Sequence, residues 1–432
     1  MDVGHSIICD RDIQGSDQFK CLFDSIQVLQ DDPDPCEGER AVMIPEIPQE
    51  IICAIIESFE YPKDIDTWKS CSLVCRSWRP IAQQCIHRCY TYPSKRSFGS
   101  CPLGSSTPLT FESLMPYPNI LRYIRTFRIL GTYGYLSSPP LLQKVIGHLA
   151  RVAHVDIGSV SMGGLPSSYG GIPDLFHLPT ISSVHICDSA LNPVDAETLF
   201  RNSSSLKHLR LTRTEFLEND TGHSQRSLHP SHLQSLDIQL SSQSLGAFQS
   251  WVVHPGGSVS LDRLKVLRLR DATGPRIKEL GPLFDAVKSS LERLEYEQTA
   301  KGSINSFGNA DGQWDEFPDS IEKLNLRSLR VTGYLSSASI AQKILSFVNV
   351  VTRRSTRLDL LELDFTVLHA EYSDAYNWLN VEQVRDKVRT VGKAVSMELF
   401  MAIDGSETCV WVSEEDKKFS GSVKTHLKLR LR

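Results

Sequence analysis

Few residues in this sequence have the types and spacing that catalysis or cofactor binding requires. Two glycine pairs, Gly163-Gly164 and Gly170-Gly171, lie in a polar stretch. The sequence contains neither GxGxxG nor GxxxxGK followed by Ser or Thr, the loops that cradle phosphate groups. It also lacks the GxSxG elbow of an α/β hydrolase. We therefore expect no catalytic residue, no cofactor-binding residue and no enzymatic activity.

Two groups of metal-ligand residue types occur, but neither has the spacing of a metal site. The stretch 309–316 is rich in Asn, Asp and Glu, yet it does not match the DxDxDG order of a calcium loop. His229 and His232 flank a proline, with no cysteine or clear third ligand near them in sequence. We predict surface loops at both places and no metal site.

The eleven cysteines are an odd number and form no CxxC pair. Cys71 and Cys75 are four residues apart, as are Cys85 and Cys89, so each pair would share one side of a helix. Metal or disulfide use remains an alternative, but apolar neighbours favour packing roles, since a reactive thiolate needs an electropositive, accessible site. Reduced thiols are typical of a cytoplasmic or nuclear protein.

Composition indicates a folded chain with material for one small and one large domain. It has 432 residues, of which 41% are hydrophobic, and no apolar run long enough to span a membrane. The net charge is −5, but residues 1–40 hold ten acidic and three basic residues, a net −7, which leaves +2 for the rest. We therefore predict an acidic leader without fixed structure and do not expect nucleic acid as the main ligand.

Apolar periodicity predicts three short helices between residues 43 and 92. Pro48 suits a first helical turn, and the apolar residues that follow it recur on one face. Asp64 or Asp66 precedes a second periodic stretch, and Ser77 a third, each as a candidate N-cap. Such a unit is too small to hide all of its apolar side chains, so a partner that covers the remainder would stabilise it.

The segment from Ile47-Pro48-Gln49-Glu50-Ile51-Ile52 to Cys71-Ser72-Leu73-Val74-Cys75-Arg76-Ser77-Trp78-Arg79 resembles an F-box. The usual leucine before the proline is Ile47 here. The resemblance implies docking onto the Skp adaptor of a ubiquitin ligase. It assigns adaptor-binding or motif-defining roles to Ile47, Pro48, Ile51, Ile52, Leu73, Val74 and Trp78. The alternative is a helical bundle that merely caps a larger domain.

Beyond residue 119 one pattern of three apolar residues recurs nine times. Two residues separate the first apolar residue from the second, and one residue separates the second from the third. These triads begin at Ile124, Val152, Ile181, Leu206, Leu233, Leu264, Leu291, Leu326 and Leu358, 25 to 35 residues apart. Amphipathic helical stretches lie between several of them. The pattern resembles degenerate leucine-rich repeats, which implies a parallel sheet backed by helices. An ordinary α/β sheet domain is the alternative.

Strand alternation predicts which side chains would contact a ligand. If the triads point into the core, the residues between them point to the opposite face. That rule places six basic side chains there as candidate target-binding residues: His208, Arg210, Arg268, Arg270, Arg293 and Arg330. They would suit an acidic or phosphorylated peptide, although exposed strands also carry charge simply for solubility.

We therefore predict an α+β protein, with a three-helix F-box followed by an irregular leucine-rich-repeat solenoid. Its segments are an acidic leader (1–42), the F-box (43–92), a linker (93–119), the repeat domain (120–402) and a C-terminal tail or edge strand (403–432). We expect the substrate-recognition subunit of an SCF-type ubiquitin ligase, bound to a Skp adaptor, a cullin scaffold and an unidentified protein target. The alternatives are a scaffold that acts without ubiquitination and an unrecognised hydrolase.

Overall fold

A large, mostly parallel β-sheet with helices along it dominates the computed structural model. The structure describes residues 48–59, 64–74, 76–93, 118–130, 144–158, 172–217, 230–240, 242–271, 277–298, 321, 323–336, 358–368, 395–403 and 423–431. The acidic leader, most of the predicted linker, both glycine pairs, the stretch 309–316, His229 and Cys75 lie outside these residues.

The helices are short. They are α1 Gln49–Ser58, α2 Ile65–Val74, α3 Arg79–Ile86, α4 Pro118–Leu121, α5 Ile172–Phe176, α6 Pro193–Phe200, α7 Ser242–Val252 and α8 Gly281–Val287, with a 3-10 turn at Ile277–Leu280 before α8. The chain divides into two compact units, residues 1–54 and 55–432, and the boundary lies within α1.

The predicted N-terminal helices are present. The carbonyl of Pro48 accepts hydrogen bonds from the amides of Ile51 and Ile52 at 3.0 and 3.2 Å, which starts α1. In the second unit, the indole of Trp68 in α2 donates to the carbonyl of Ile56 at 2.8 Å. Helices α2 and α3 pack against each other, and the buried residues of this region include Trp68, Cys71, Ala82 and Cys85. Trp78, and not Ser77, occupies the N-cap position of α3.

The described residues form sixteen strands. They are β1 Cys89–Pro93, β2 Thr126–Leu130, β3 His154–Gly158, β4 Ser183–Cys187, β5 Ala190–Leu191, β6 His208–Thr212, β7 Glu215–Phe216, β8 Ser231–His232, β9 Ser235–Leu240, β10 Val259–Ser260, β11 Val266–Asp271, β12 Arg293–Gln298, β13 Ser328–Ser336, β14 Leu360–Leu368, β15 Val395–Ile403 and β16 Val423–Leu431. Twelve of them form one sheet in the order β1-β2-β3-β4-β6-β9-β11-β12-β13-β14-β16-β15. The remaining four make the two-stranded pairs β5-β7 and β8-β10.

The nine apolar triads correspond to nine consecutive strands of the large sheet, from β2 to β14. All of their side chains are buried. The strands are parallel and follow chain order, and equivalent triad positions face each other across every pair, as Leu209 faces Leu236 and Leu267 faces Leu294. The triad pattern therefore predicted these strands and their parallel order.

A repeated backbone contact fixes this register at the amino end of each strand. The carbonyl of the residue just before each of these strands accepts two hydrogen bonds from the neighbouring strand segment. One donor is the amide of the residue just before the neighbouring strand, and the other is the amide of that strand's first described position. The accepting residues are Arg88, Arg125, Ala153, Ser182, Lys207, Gln234, Lys265, Glu292 and Arg327. Because the same pair of bonds recurs along the sheet, neighbouring repeats stack without a register shift.

The predicted helical stripe does not extend to Cys89, because strand β1 begins there. Strand β1 pairs in parallel with β2, Cys89 facing Thr126, and the carbonyl of Arg88 accepts from the amides of Arg125 and Thr126. Cys89 therefore lies in the sheet and not on a helical stripe with Cys85. The sequence from Cys89 to Tyr92 is rich in strand-forming aromatic and β-branched residues, which explains why the sheet begins here.

The C-terminal segment, predicted as a tail or an edge strand, contains strand β16, which is not at the edge of the sheet. Strand β16 pairs antiparallel with both β14 and β15, so it lies inside the sheet. The edge position belongs to β15. With neighbours on both sides, the backbone groups of β16 are paired in two directions.

Aromatic packing on the helical side holds the middle of the repeat array together. Trp251 of α7 stacks on Phe200 of α6 at 5.6 Å and on Phe216 of β7 at 5.8 Å between ring centroids. Phe200 also contacts Phe176 of α5 at 5.3 Å, and Phe248 meets Phe216 edge to face. The side chain of Asn192 caps α6 by accepting from the amide of Asp195 at 2.7 Å.

Candidate functional site

The adaptor-binding residues predicted in the first unit differ in exposure. Ile47 lies outside the described residues. Pro48 is exposed at the start of α1, and half of the surface of Ile51 (50%) is exposed. Ile52 is buried, with 7% of its surface exposed. Ile52 is therefore a packing residue, while Pro48 and Ile51 are accessible to a partner.

The end of α2 carries an apolar surface that other described residues leave uncovered. Leu73 is 78% exposed and its neighbour Val74 is 44% exposed. Trp78, at the N-cap of α3, is half-buried, and its carbonyl accepts from the amide of Ala82 at 3.0 Å. Leu73 and Val74 are thus accessible, whereas Trp78 also helps to build the turn into α3.

Exposed large apolar side chains are few among the described residues. They are Ile51, Leu73, Val74, Val194 and Leu217. Three of the five belong to α1 and α2, although these helices are a small part of the described chain. Single exposed apolar residues are ordinary on protein surfaces, but neighbouring ones indicate an interaction site.

The polar face of the sheet is arranged as the alternation predicted. Strand β6 is typical: Leu209 and Leu211 are buried, while His208 and Arg210 are exposed. On each of the nine strands one residue lies between the second and third residues of the triad. These nine residues form one continuous row across the sheet. The row reads Arg128, Asp156, His185, Arg210, Asp237, Arg268, Glu295, Arg330 and Glu362. Basic and acidic side chains alternate along most of it.

This alternation gives most of the predicted target-binding arginines an acidic neighbour. Arg268 lies 2.7 Å from Glu295, and Arg330 lies 3.9 Å from Glu362. Arg210 and Arg270 both lie 3.5 Å from Asp237, a residue with only 7% of its surface exposed. Arg293 also pairs with Glu295, and Arg270 lies 3.6 Å from Glu297. His208 lies outside this row, at the start of β6, beside Ser183 and Ser235.

The row was therefore incompletely predicted. Of its basic members we identified Arg210, Arg268 and Arg330 as ligand contacts, but we did not predict that they pair with acidic residues on adjacent strands. Aligning the nine triads would have placed Asp237 and Glu295 beside Arg210 and Arg268, since parallel neighbours in register meet directly. An acidic ligand on this face must compete with carboxylates that are already in contact with the arginines.

Asp156 in the row and Asp188, which follows β4, both have depressed pKa values. Burial raises the pKa of Asp156, but His185 and Arg128 lower it by more, so that it falls below its ordinary value of 3.8. The Arg128 guanidinium donates to Asp156 at 2.9 Å. Arg213 donates to both carboxylate oxygens of Asp188, at 2.6 and 2.8 Å, and thereby lowers the pKa of Asp188. These pairs tie β3 to β2 and β4 to β6.

We expect these pairs to make stability depend on pH in the acid range. A carboxyl whose pKa is depressed in the folded state adds stability above its unfolded pKa of about 3.9, and this stability is lost as pH falls through the folded pKa. Urea unfolding from about pH 6 to about pH 3 should therefore show a smaller loss of stability for Asp156→Asn/Asp188→Asn than for the unmodified protein. Equal pH slopes for the two proteins would contradict this assignment.

The described cysteines have the character of packing residues. Cys53, Cys71, Cys85, Cys89 and Cys187 are free thiols. Burial raises the pKa of Cys71, Cys89 and Cys187. A raised pKa disfavours the reactive thiolate, so none of these three is suited to nucleophilic chemistry at neutral pH.

The described residues also hold no group of three or more His, Cys, Asp or Glu side chains that could bind a metal ion. His232, considered above as a metal ligand, lies in β8 with Nδ1 2.7 Å from the carboxylate of Asp262. None of the described helices combines the length and apolar character that crossing a membrane requires. No protein-family model matches the chain, and no curated protein matches it.

Proposed function

We propose that this protein is the substrate-recognition subunit of an SCF-type ubiquitin ligase. In this proposal the N-terminal helices are an F-box that binds a Skp adaptor, and through it a cullin scaffold. The sheet holds a protein target. The chain contributes no catalytic residue, and its role is to bring target lysines close to the ubiquitin carrier, where tethering raises their effective concentration.

The exposure of Leu73 and Val74 carries the adaptor part of the proposal. Both belong to the motif that resembles an F-box, and at the end of α2 Leu73 is mostly exposed while Val74 is partly exposed. An apolar surface of this kind is stabilised when a partner removes it from water. The exposed Pro48 and Ile51 are further candidate contacts.

The receptor part of the proposal rests on the regularity of the sheet. Nine parallel strands in chain order, with one backbone contact repeated between them, are what stacked leucine-rich repeats would produce. We therefore interpret residues 120–402 as an irregular solenoid, whose exposed sheet surface and strand ends are available to a target. The free thiols of the five described cysteines fit a cytoplasmic or nuclear location.

Co-purification tests the proposal. The full chain is co-expressed with a tagged Skp adaptor and a cullin, and the captured complex is analysed for stoichiometry. We expect an equimolar complex of chain and adaptor, and proteins bound to the chain should accumulate when the proteasome is inhibited. Failure to capture the chain would refute the proposal. Capture without any effect of proteasome inhibition would favour the scaffold alternative.

A further inference from the structure

A basic cleft lies at the amino ends of strands β9, β11, β12 and β13. It has a volume of about 360 Å³. Its lining includes Gln234, Lys265, Glu292 and Arg327, which are the residues immediately before these four strands. Arg263 also lines the cleft, from the segment before β11.

The backbone of this cleft is firmly positioned. The carbonyls of Gln234, Lys265 and Glu292 each accept two amide hydrogen bonds from the next repeat, at 2.8 to 3.0 Å. The four lining residues are therefore spaced by the sheet itself. Neighbouring strands are about 4.8 Å apart, so the backbones of Lys265 and Arg327, two strands apart, are separated by about 10 Å.

The charge of the cleft is positive. Arg263, Lys265 and Arg327 are basic and Glu292 is the acidic lining residue, so the lining has a net charge of +2. Lys265 lies 3.5 Å from Glu292. Neither Arg263 nor Arg327 forms an ion pair with another described residue. Ser289 and Asn325 add polar groups to the lining.

This distinguishes the cleft from the polar face of the sheet. On that face the arginines contact carboxylates on adjacent strands, as Arg268 contacts Glu295 and Arg330 contacts Glu362. At the strand ends Arg327 is in no ion pair with another described residue, and Arg263 interacts electrostatically with the carboxylate of Asp262 without forming an ion pair with it. An incoming carboxylate gains more where no internal carboxylate must first be displaced.

We propose that this cleft binds an extended acidic peptide segment, two of whose carboxylates, about three residues apart, contact Lys265 with Arg263 at one end and Arg327 at the other. In the extended polyproline II conformation, residues three apart lie on the same side of the peptide and about 9 Å apart, close to the separation of the Lys265 and Arg327 backbones. The proposal rests on the proposed receptor function. It identifies the target segment as acidic, and it places the binding site of that segment at the strand ends and not on the sheet face.

Fluorescence anisotropy with the full chain provides the test. The probes are fluorescein-labelled peptides of glycine and alanine that carry two glutamates separated by two residues, two adjacent glutamates, or two glutamines. The first should bind about tenfold more tightly than the glutamine peptide and about threefold more tightly than the adjacent pair, as expected for two exposed charge contacts. Inorganic phosphate and a single-stranded oligonucleotide serve as competitors.

Matched variants locate the binding site. R263Q/R327Q should weaken binding of the spaced peptide about tenfold, whereas E292Q should tighten it about twofold because it removes the competing carboxylate. K207Q is the control, since Lys207 has the same position as Lys265 but precedes β6. It should change affinity by less than about twofold. Unfolding curves check that each variant is folded.

Several results would overturn the proposal. One is that the spaced-glutamate peptide binds no more tightly than the glutamine peptide or the adjacent-glutamate peptide. Another is that R263Q/R327Q binds the spaced peptide as tightly as the unmodified chain, or that K207Q loses as much affinity as R263Q/R327Q. Tighter binding of the oligonucleotide, or full competition by equimolar phosphate, would also contradict a peptide site. Adaptor capture is measured on the same preparations. If the unmodified chain captures the adaptor but does not bind the spaced peptide, the cleft alone is refuted. If the unmodified chain binds the spaced peptide but does not capture the adaptor, the receptor function alone is refuted.

Discussion

Replacing Leu73 and Val74 together by aspartate is expected to weaken binding of the Skp adaptor at least about a hundredfold. The two side chains are 78% and 44% exposed, so an adaptor that covers them removes apolar surface from water. Burying an aliphatic side chain of this size contributes about 1.5–3 kcal/mol, and a buried aspartate without a partner adds a further cost. Calorimetric titration of the purified chain with the adaptor measures the change.

The controls for this prediction are exposed apolar residues elsewhere in the chain. Val194, in α6, is 42% exposed, and Leu217, after β7, is 40% exposed. Val194→Asp and Leu217→Asp should leave adaptor affinity within about twofold, since surface substitutions away from a binding site have small effects. If L73D/V74D binds as tightly as the unmodified protein, or if the controls weaken binding equally, the end of α2 is not the adaptor surface.

Phe200→Ala is expected to destabilise the folded protein by about 3–5 kcal/mol. The ring is fully buried and contacts the rings of Phe176 and Trp251 at 5.3 and 5.6 Å. Its removal leaves a cavity where three helical segments meet, and their packing can close such a cavity only in part. The free energy of unfolding in urea, followed by tryptophan fluorescence and by circular dichroism, measures the loss.

Leu217→Ala is the matched comparison for the core substitution. Because Leu217 is exposed, its truncation should change the unfolding free energy by less than about 0.5 kcal/mol. A loss below about 1 kcal/mol for Phe200→Ala would show that the aromatic cluster does not stabilise the repeat array as its burial indicates.

Much of the fold followed from periodicity alone. The triad pattern is local and is repeated nine times, so it predicted the strands of the sheet, their parallel order and their buried side chains. Two features needed information that a local pattern does not contain. The strand at Cys89–Pro93 continues directly from α3, and only its pairing with β2 shows that it belongs to the sheet. The position of β16 between β14 and β15 depends on a contact with β15, which is distant in sequence.

The candidate sites were predicted less completely than the fold. The resemblance to an F-box selected both accessible and buried residues, and periodicity could not separate Ile52, which is buried, from Ile51, which is half-exposed. Charges on the sheet face were identified one strand at a time, so the pairing of Arg268 with Glu295 was missed although the triads already aligned them. The cleft before β9 to β13 depends on connecting segments, whose course the triads do not determine.

Hydrogen–deuterium exchange of the full chain, with and without the Skp adaptor, tests the central claim most directly, because it shows where a second protein covers the first. We expect slower exchange in α2 and α3, Ile65–Val74 and Arg79–Ile86, and no change in strands β2 to β14. L73D/V74D should lose this protection at the same adaptor concentration. A complex that forms without protection of these two helices, or that protects the sheet instead, would contradict the assignment of an adaptor-binding surface at the end of α2.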